Sequence, residues 1–138
     1  MIGVERSKPD FSGEYVLNRS ASTLSAAGAA NVESSRVRIE HEEPRFRSEF
    51  SYIFANGQKF DGAFELTTDG SEVSFTDHGH AAVSSLRWDG DVLVFTTSGQ
   101  ATMTFRYELI DAGDRLRMSE QLRGTDHDQD NIWIFDRQ

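Results

Sequence analysis

Short segments of alternating apolar and polar residues dominate this chain of 138 residues. Along 45–54 every aromatic side chain occupies an even position, whereas charged residues such as Arg47 occupy odd positions. The same period of two recurs along 36–41, 101–109 and 115–119. Successive side chains of a β-strand point to opposite faces, so this period predicts half-buried strands with one core face and one solvent face.

Turn signals that contain glycine separate these segments at short intervals. Asn56–Gly57, Asp69–Gly70 and Asp89–Gly90 are typical of type I′ hairpins, which need positive φ at both central residues. Short strands joined by tight turns predict an antiparallel meander. The predicted strands, about ten in number, lie near 11–17, 34–41, 45–54, 58–67, 71–77, 80–88, 91–97, 101–110, 114–122 and 129–136.

Such a meander favours a closed barrel. An open sheet of about ten strands would leave two exposed edges that invite aggregation, and closure removes them. Gly62 interrupts an apolar strand, which suits a sharp bend in a barrel wall. The segment 18–31 breaks the alternation and predicts either an irregular crossover or a short helix, capped by Ser20 or Ser22 and ended by Gly28. A β-sandwich is the alternative fold.

Length and composition limit the domain organisation and the partners. We expect an all-β chain with a flexible N-terminus at 1–10 and one antiparallel up-and-down β-barrel domain at 11–138. The net charge of −9 argues against nucleic acid and anionic membranes as partners. No cysteine is present, which excludes disulfides and thiolate metal sites. We expect a soluble monomer or homodimer, cytoplasmic as the chain stands, or periplasmic or secreted if an export signal has been removed.

Three segments carry a family resemblance. Phe11–Tyr15 resembles the opening strand of lipocalins and fatty-acid-binding proteins, where Phe-x-Gly-x-Trp or Tyr begins the barrel. The segment 133–137 resembles their last strand, and 86–93 resembles small bacterial lipocalin-like proteins of unknown function. The resemblance implies a calycin-type barrel in which Arg137 packs across Tyr15 as a cation–π pair. The chain departs from the pattern because its last strand has no Arg-x-Tyr clamp for a fatty-acid carboxylate.

Inward-facing side chains of such a barrel predict a pocket. Barrel pockets are mostly apolar with a few placed polar groups, so we predict a small, largely apolar ligand and no cofactor. Phe75 shares the inward phase of the pocket residues. The predicted ligand-binding residues are Phe50, Tyr52, Phe54, Phe64, Met103, Phe105, Tyr107 and Met118.

Two residues are candidates for catalysis in that pocket. Glu120 follows Leu116 and Met118 in phase, and a carboxyl group that points into an apolar pocket is a candidate general acid or base. If the strand ends earlier, Glu120 lies at the solvent rim instead. His41 shares the inward phase of its own strand, and histidine is the side chain that most often acts as a general acid or base. These residues leave open an enzyme that performs isomerisation, cyclisation or hydrolysis, and a fully packed structural barrel is the third alternative.

The remaining histidines suggest a metal site only weakly. His78 and His80 would share one side of a strand, and His127 could supply a third ligand. Gly79 between the first two indicates a turn, which favours an exposed polar loop. We therefore predict no bound metal.

Overall fold

The computed structural model describes residues 8–24, 27–77, 79–124 and 128–138. One helical turn, α1 (Ala27–Ala30), and a 3-10 turn at Asp111–Gly113 accompany the strands. All ten predicted strands are present, with bounds that differ from the predictions by at most two residues. The strands are β1 (Gly13–Leu17), β2 (Thr23–Leu24), β3 (Val32–Glu42), β4 (Arg45–Phe54), β5 (Lys59–Thr67), β6 (Val73–Asp77), β7 (His80–Asp89), β8 (Val92–Ser98), β9 (Thr102–Ile110), β10 (Arg115–Arg123) and β11 (Gln129–Arg137).

The strands form one antiparallel sheet that wraps into a nearly closed barrel. Their order is β5-β4-β3-β1-β11-β10-β9-β8-β7-β6, and the two-residue β2 pairs with β11. The first strand therefore joins the two halves of the meander, with Tyr15 opposite both Val37 and Arg137. The edge strands β5 and β6 face each other across the gap, which a bridge between Asp69 and Arg87 narrows at one end. A single wrapped sheet confirms the predicted barrel and excludes the β-sandwich.

Alternation separates the barrel interior from its outer surface as predicted. On β3, Val37 and Ile39 are buried while Arg36 and Arg38 are exposed. The outward arginines pair with acids on other strands, as Arg45 does with Glu65, Arg106 with Asp89 and Arg115 with Asp136. Exposed pairs of this kind contribute little to stability, because water and salt screen them. The stability of the barrel therefore depends mainly on its aromatic and aliphatic interior.

The crossover after β1 follows the irregular alternative rather than the capped helix. Among the described residues of the crossover the one helical turn is α1, and Gly28 lies inside that turn rather than after it. The Ser22 hydroxyl donates to the Asn18 carbonyl oxygen at 2.7 Å and accepts from the Ile134 N–H at 2.8 Å. Ser22 therefore ties the crossover to the last strand instead of capping a helix.

Two further local expectations are wrong. At the Asn56–Gly57, Asp69–Gly70 and Asp89–Gly90 turns only the glycine has positive φ, at 85°, 84° and 63°, so none of the three is type I′. The Asn56 side chain instead accepts from the Gln58 N–H at 2.9 Å, which stabilises a longer loop. Phe75 lies on the edge strand β6 and is 42% exposed, so it belongs to the rim of the gap rather than to the core.

The first strand is held at its end by the last residues of the chain. Phe11 is fully buried although β1 begins only at Gly13, and its carbonyl oxygen accepts from the Tyr15 hydroxyl at 2.7 Å. The Arg137 guanidinium lies 5.5 Å from the centre of the Tyr15 ring, which confirms the predicted cation–π contact. Arg137 also donates to the carbonyl oxygens of Ser12 and Gly113. The predicted flexible segment 1–10 lies outside the described residues except for its last three.

Candidate functional site

The barrel interior holds a cavity of about 480 Å³. Strands β3, β4, β5, β8, β9, β10 and β11 contribute to its wall, together with Ala29 of α1. This volume falls within the range of about 300–1,000 Å³ that is usual for small-molecule sites. The other lining residues are Val32, Val37, Ser48, Phe50, Tyr52, Phe54, Phe60, Phe64, Phe95, Met103, Phe105, Tyr107, Met118, Glu120 and Trp133.

All eight residues predicted to bind a ligand lie on this wall. The β-strand alternation brings them there, because each occupies the inward phase of its strand. Aromatic rings contact one another along this wall: Phe105 lies 6.2 Å between ring centres from Tyr107 of the same strand, and Phe64 of β5 lies 4.7 Å from Phe95 of β8. Phe60 also lines the cavity but is 53% exposed, which places an opening beside this residue on the edge strand β5.

Two tyrosine hydroxyls belong to the cavity lining. Burial, with a smaller effect of the nearby Glu120 carboxylate, raises the pKa of Tyr52 to about 12. Burial also raises the pKa of Tyr107, and here Tyr52 and Glu120 add to the effect. Both phenols therefore stay protonated at neutral pH. Within the described part of the chain, neither hydroxyl has a hydrogen-bond partner in the protein, so both are available to a ligand.

Glu120 is the carboxylate of the cavity wall. It lies on β10 opposite Phe105 on one side and Asn131 on the other. One oxygen, Oε1, accepts from the Asn131 side-chain amide at 3.1 Å and from the Trp133 indole N–H at 2.9 Å. Strand β10 continues to Arg123, so Glu120 lies within the strand, as its inward phase predicts, and not beyond its end.

His41 does not line this cavity, although it was predicted to act there with Glu120. The imidazole is buried beside Phe11 and Trp88, with ring centres 5.9 and 5.8 Å away. Its Nδ1 accepts from the Phe11 N–H at 3.1 Å, and its Nε2 lies 2.8 Å from a Glu43 carboxylate oxygen. Both ring nitrogens are therefore used by the fold, and the structure does not bring the two candidate catalytic residues together.

The hydrogen bonds around Glu43 explain why His41 is buried. The Glu43 carboxylate also accepts hydrogen bonds from the Thr68 hydroxyl at 2.8 Å and from the Trp88 indole N–H at 3.0 Å. Burial raises the pKa of Glu43, but hydrogen bonds from His41, Thr68 and Trp88 outweigh it, so the pKa lies below its ordinary value. The network joins the β3–β4 turn to the end of β5 and to β7. It stabilises one end of the barrel.

Trp133 and Phe95 are cavity residues that the sequence predictions did not include. Trp133 lies between Ile132 and Ile134, and Phe95 follows a run of three aliphatic residues, Val92–Val94. Apolar residues on both faces of a strand hide the inward phase. For Trp133 a usable signal in the sequence was the aromatic Phe135 two positions further on, because residues two apart share one face of a strand.

No group of three or more metal-ligating side chains forms among the residues that the structure describes. His80 is exposed, with Gln100 as its hydrogen-bonding neighbour at 3.3 Å. His78 and His127 lie outside the described residues. In the same described ranges, no helix has the length and apolar character needed to span a membrane.

The fold is that of fatty-acid-binding proteins and related calycin-type barrels. A fatty acid transporter, REP1-NXSQ, superimposes with a TM-score of 0.65 at 16% identity over 92% of this chain and 95% of its own. The Schistosoma mansoni fatty acid binding protein, solved with arachidonic acid, gives a TM-score of 0.63 at 16% identity over 93% and 96%.

A third solved structure widens the range of proteins that share this barrel. The fluorescent protein UnaG gives a TM-score of 0.64 at 13% identity, over 93% of this chain and 97% of its own. The sequence matches no family model and no curated protein. At these identities the likeness describes the fold alone, so the ligand has to be argued from the cavity of this chain.

Proposed function

We propose that this protein binds a small, largely apolar molecule inside its barrel. The observation that carries the proposal is the cavity of about 480 Å³, whose wall is mainly aromatic and aliphatic. A fully packed structural barrel would close such a space, because protein interiors normally reach crystal-like density. Structural neighbours whose names include fatty acid binding or transport support the same general role.

A neutral, environment-sensitive dye such as Nile red tests this proposal. We expect saturable binding of one dye per chain with a blue-shifted emission. Met103→Trp adds a bulky ring to the cavity wall and should weaken dye binding at least about tenfold, a change of about 1.4 kcal/mol. Thr102→Trp adds the same ring at the neighbouring, exposed position of β9 and should leave binding unchanged.

Two results would contradict a binding function. One is the absence of saturable dye binding by the folded wild-type protein. The other is equal binding by the Met103 and Thr102 variants, which would place the dye on the outer surface. Urea titration of each variant checks that the barrel remains folded.

We infer an acid–base enzyme as the second candidate, and the position of Glu120 on the cavity wall favours it. The reaction classes remain isomerisation, cyclisation or hydrolysis of a small hydrophobic substrate. His41 takes no part in this candidate, because its ring nitrogens contact Phe11 and Glu43. NMR spectra of any molecule that copurifies with the protein should then change with time, and Glu120→Gln should stop the change while retaining binding. An unaltered molecule after prolonged incubation would contradict catalysis and leave the binding function standing.

A further inference from the structure

The charge of the cavity is negative, and this constrains the polar end of its ligand. Among the residues that the structure describes, the cavity wall includes Glu120 but no Lys, Arg or His. The two groups that donate to Glu120, from Asn131 and Trp133, are both neutral. No cation of the described residues forms a salt bridge with this carboxylate.

Among the described residues, only one oxygen of Glu120 accepts hydrogen bonds. Both donors contact Oε1, and within the described chain no side-chain oxygen or nitrogen is both fully buried and without a partner. No described residue donates to the second oxygen, Oε2, which therefore remains open on the cavity wall that Glu120 forms. A ligand group that donates a hydrogen bond or carries positive charge can occupy that position.

Two aromatic residues, Trp133 and Tyr52, lie near the same carboxylate. Trp133 contacts Glu120 directly, and the Tyr52 ring lies 5.8 Å from the Trp133 ring between centres. Ring faces attract cations through their quadrupole, most strongly for Trp and Tyr, and the attraction grows when the cation is desolvated. A carboxylate among aromatic faces therefore suits an organic ammonium group.

The same surroundings disfavour a ligand with an anionic head group. A carboxylate ligand near Glu120 would bring two negative charges together in a water-poor cavity, where repulsion is stronger than in bulk water. The phenols of Tyr52 and Tyr107 can donate hydrogen bonds but supply no positive charge. The net charge of −9 over the whole chain opposes entry of anions as well.

We propose that the barrel selects hydrophobic molecules with an organic cation, a protonated amine or a quaternary ammonium, over fatty-acid anions of the same tail. The selectivity rests on the binding function proposed above. Glu120 is the residue that determines it, and Trp133 and Tyr52 supply the aromatic faces.

Four ligands with the same twelve-carbon tail separate the effect of head-group charge from that of the tail. They are dodecylamine, dodecyltrimethylammonium, 1-dodecanol and dodecanoate. Each is titrated by calorimetry near neutral pH and below its micelle concentration, where the amine is protonated as a lysine side chain is. We expect both ammonium ligands to bind at least about tenfold more tightly than dodecanoate, with the neutral alcohol between them.

Glu120→Gln is the matched substitution, since the amide oxygen can still accept from Asn131 and Trp133. The variant should reduce the preference for ammonium over carboxylate at least about fivefold and leave the affinity for 1-dodecanol within about twofold. Glu40→Gln removes the same charge from an exposed position of β3 and should leave the preference unchanged. Urea midpoints of both variants confirm that they are folded.

The outcomes distinguish the selectivity from the binding function. Dodecanoate that binds as tightly as the amines would overturn the selectivity and leave binding intact. A Glu120→Gln variant that keeps the preference, or that loses affinity for 1-dodecanol equally, would also overturn it. Failure of all four ligands and of the neutral dye would overturn the binding function itself.

Discussion

Gly62 is the residue whose substitution tests the cavity geometry most sharply. It lies on β5 directly opposite Phe50 of β4. A Cβ atom placed on Gly62 would lie 2.5 Å from the Phe50 ring, closer than van der Waals contact allows. The sequence suggested that this glycine bends the barrel wall. The structure instead shows that it makes room for a ring that lines the cavity.

The magnitude of Gly62→Ala follows from two opposing effects. Forcing extra volume into packed surroundings costs about 1–3 kcal/mol. Gly62 does not have the positive φ of the turn glycines, so alanine fits its backbone and should stabilise by about 0.4–1 kcal/mol through the unfolded chain. We expect a net decrease of about 1–2 kcal/mol in the free energy of unfolding.

A double-mutant cycle isolates the contact. In a Phe50→Ala background the ring is gone, so Gly62→Ala should raise the free energy of unfolding by about 0.4–1 kcal/mol. The sign of the effect therefore reverses between the two backgrounds, with a coupling energy of about 1–3 kcal/mol. Urea titrations with equal m-values measure it. The same change in both backgrounds would refute the packing of Phe50 over Gly62.

Substitutions at two further positions test contacts near the ends of the strands. Glu43 has a depressed pKa, so its stabilising contribution is present above its ordinary value of 4.5 and is lost as pH falls through the folded-state value. Glu43→Gln should therefore flatten the loss of stability between about pH 6 and about pH 3 in urea titrations, and parallel pH curves would contradict this reasoning. Arg137→Ala should lower the free energy of unfolding by about 1–3 kcal/mol, because it removes the Tyr15 contact and charged hydrogen bonds. Arg137→Lys keeps the charge and should recover part of the loss in the same assay. Wild-type urea midpoints in both Arg137 variants would contradict a stabilising role.

The wall of the cavity was predictable because it depends on alternation alone. Because successive side chains of a strand point to opposite faces, the charged face of β4 and β9 identifies the other face as the inward one. Tyr52 and Phe105 lie on that inward face. Barrel closure followed from the cost of exposed strand edges. The same local reasoning placed Glu120 in phase with Met118, on the cavity wall.

Features that depend on contacts between distant parts of the chain were not predictable in this way. Alternation predicts that both His41 and Glu120 point inward. It does not predict how far along the barrel axis each side chain lies. The position of His41 depends on its contacts with Phe11 and with Glu43 of the following turn. The role of Ser22 likewise depends on β11, which lies more than a hundred residues away in sequence.

The most direct measurement observes the cavity wall while it binds. Of the three methionines in the chain, Met103 and Met118 line the cavity. Their carbon-13-labelled methyl groups, assigned with Met103→Leu and Met118→Leu, are followed by NMR during a titration with dodecylamine. If the barrel binds its ligand inside, both methyl signals shift together and saturate at one ligand per chain. If dodecylamine saturates the protein while both signals stay unchanged, binding occurs outside the cavity and the central claim is wrong.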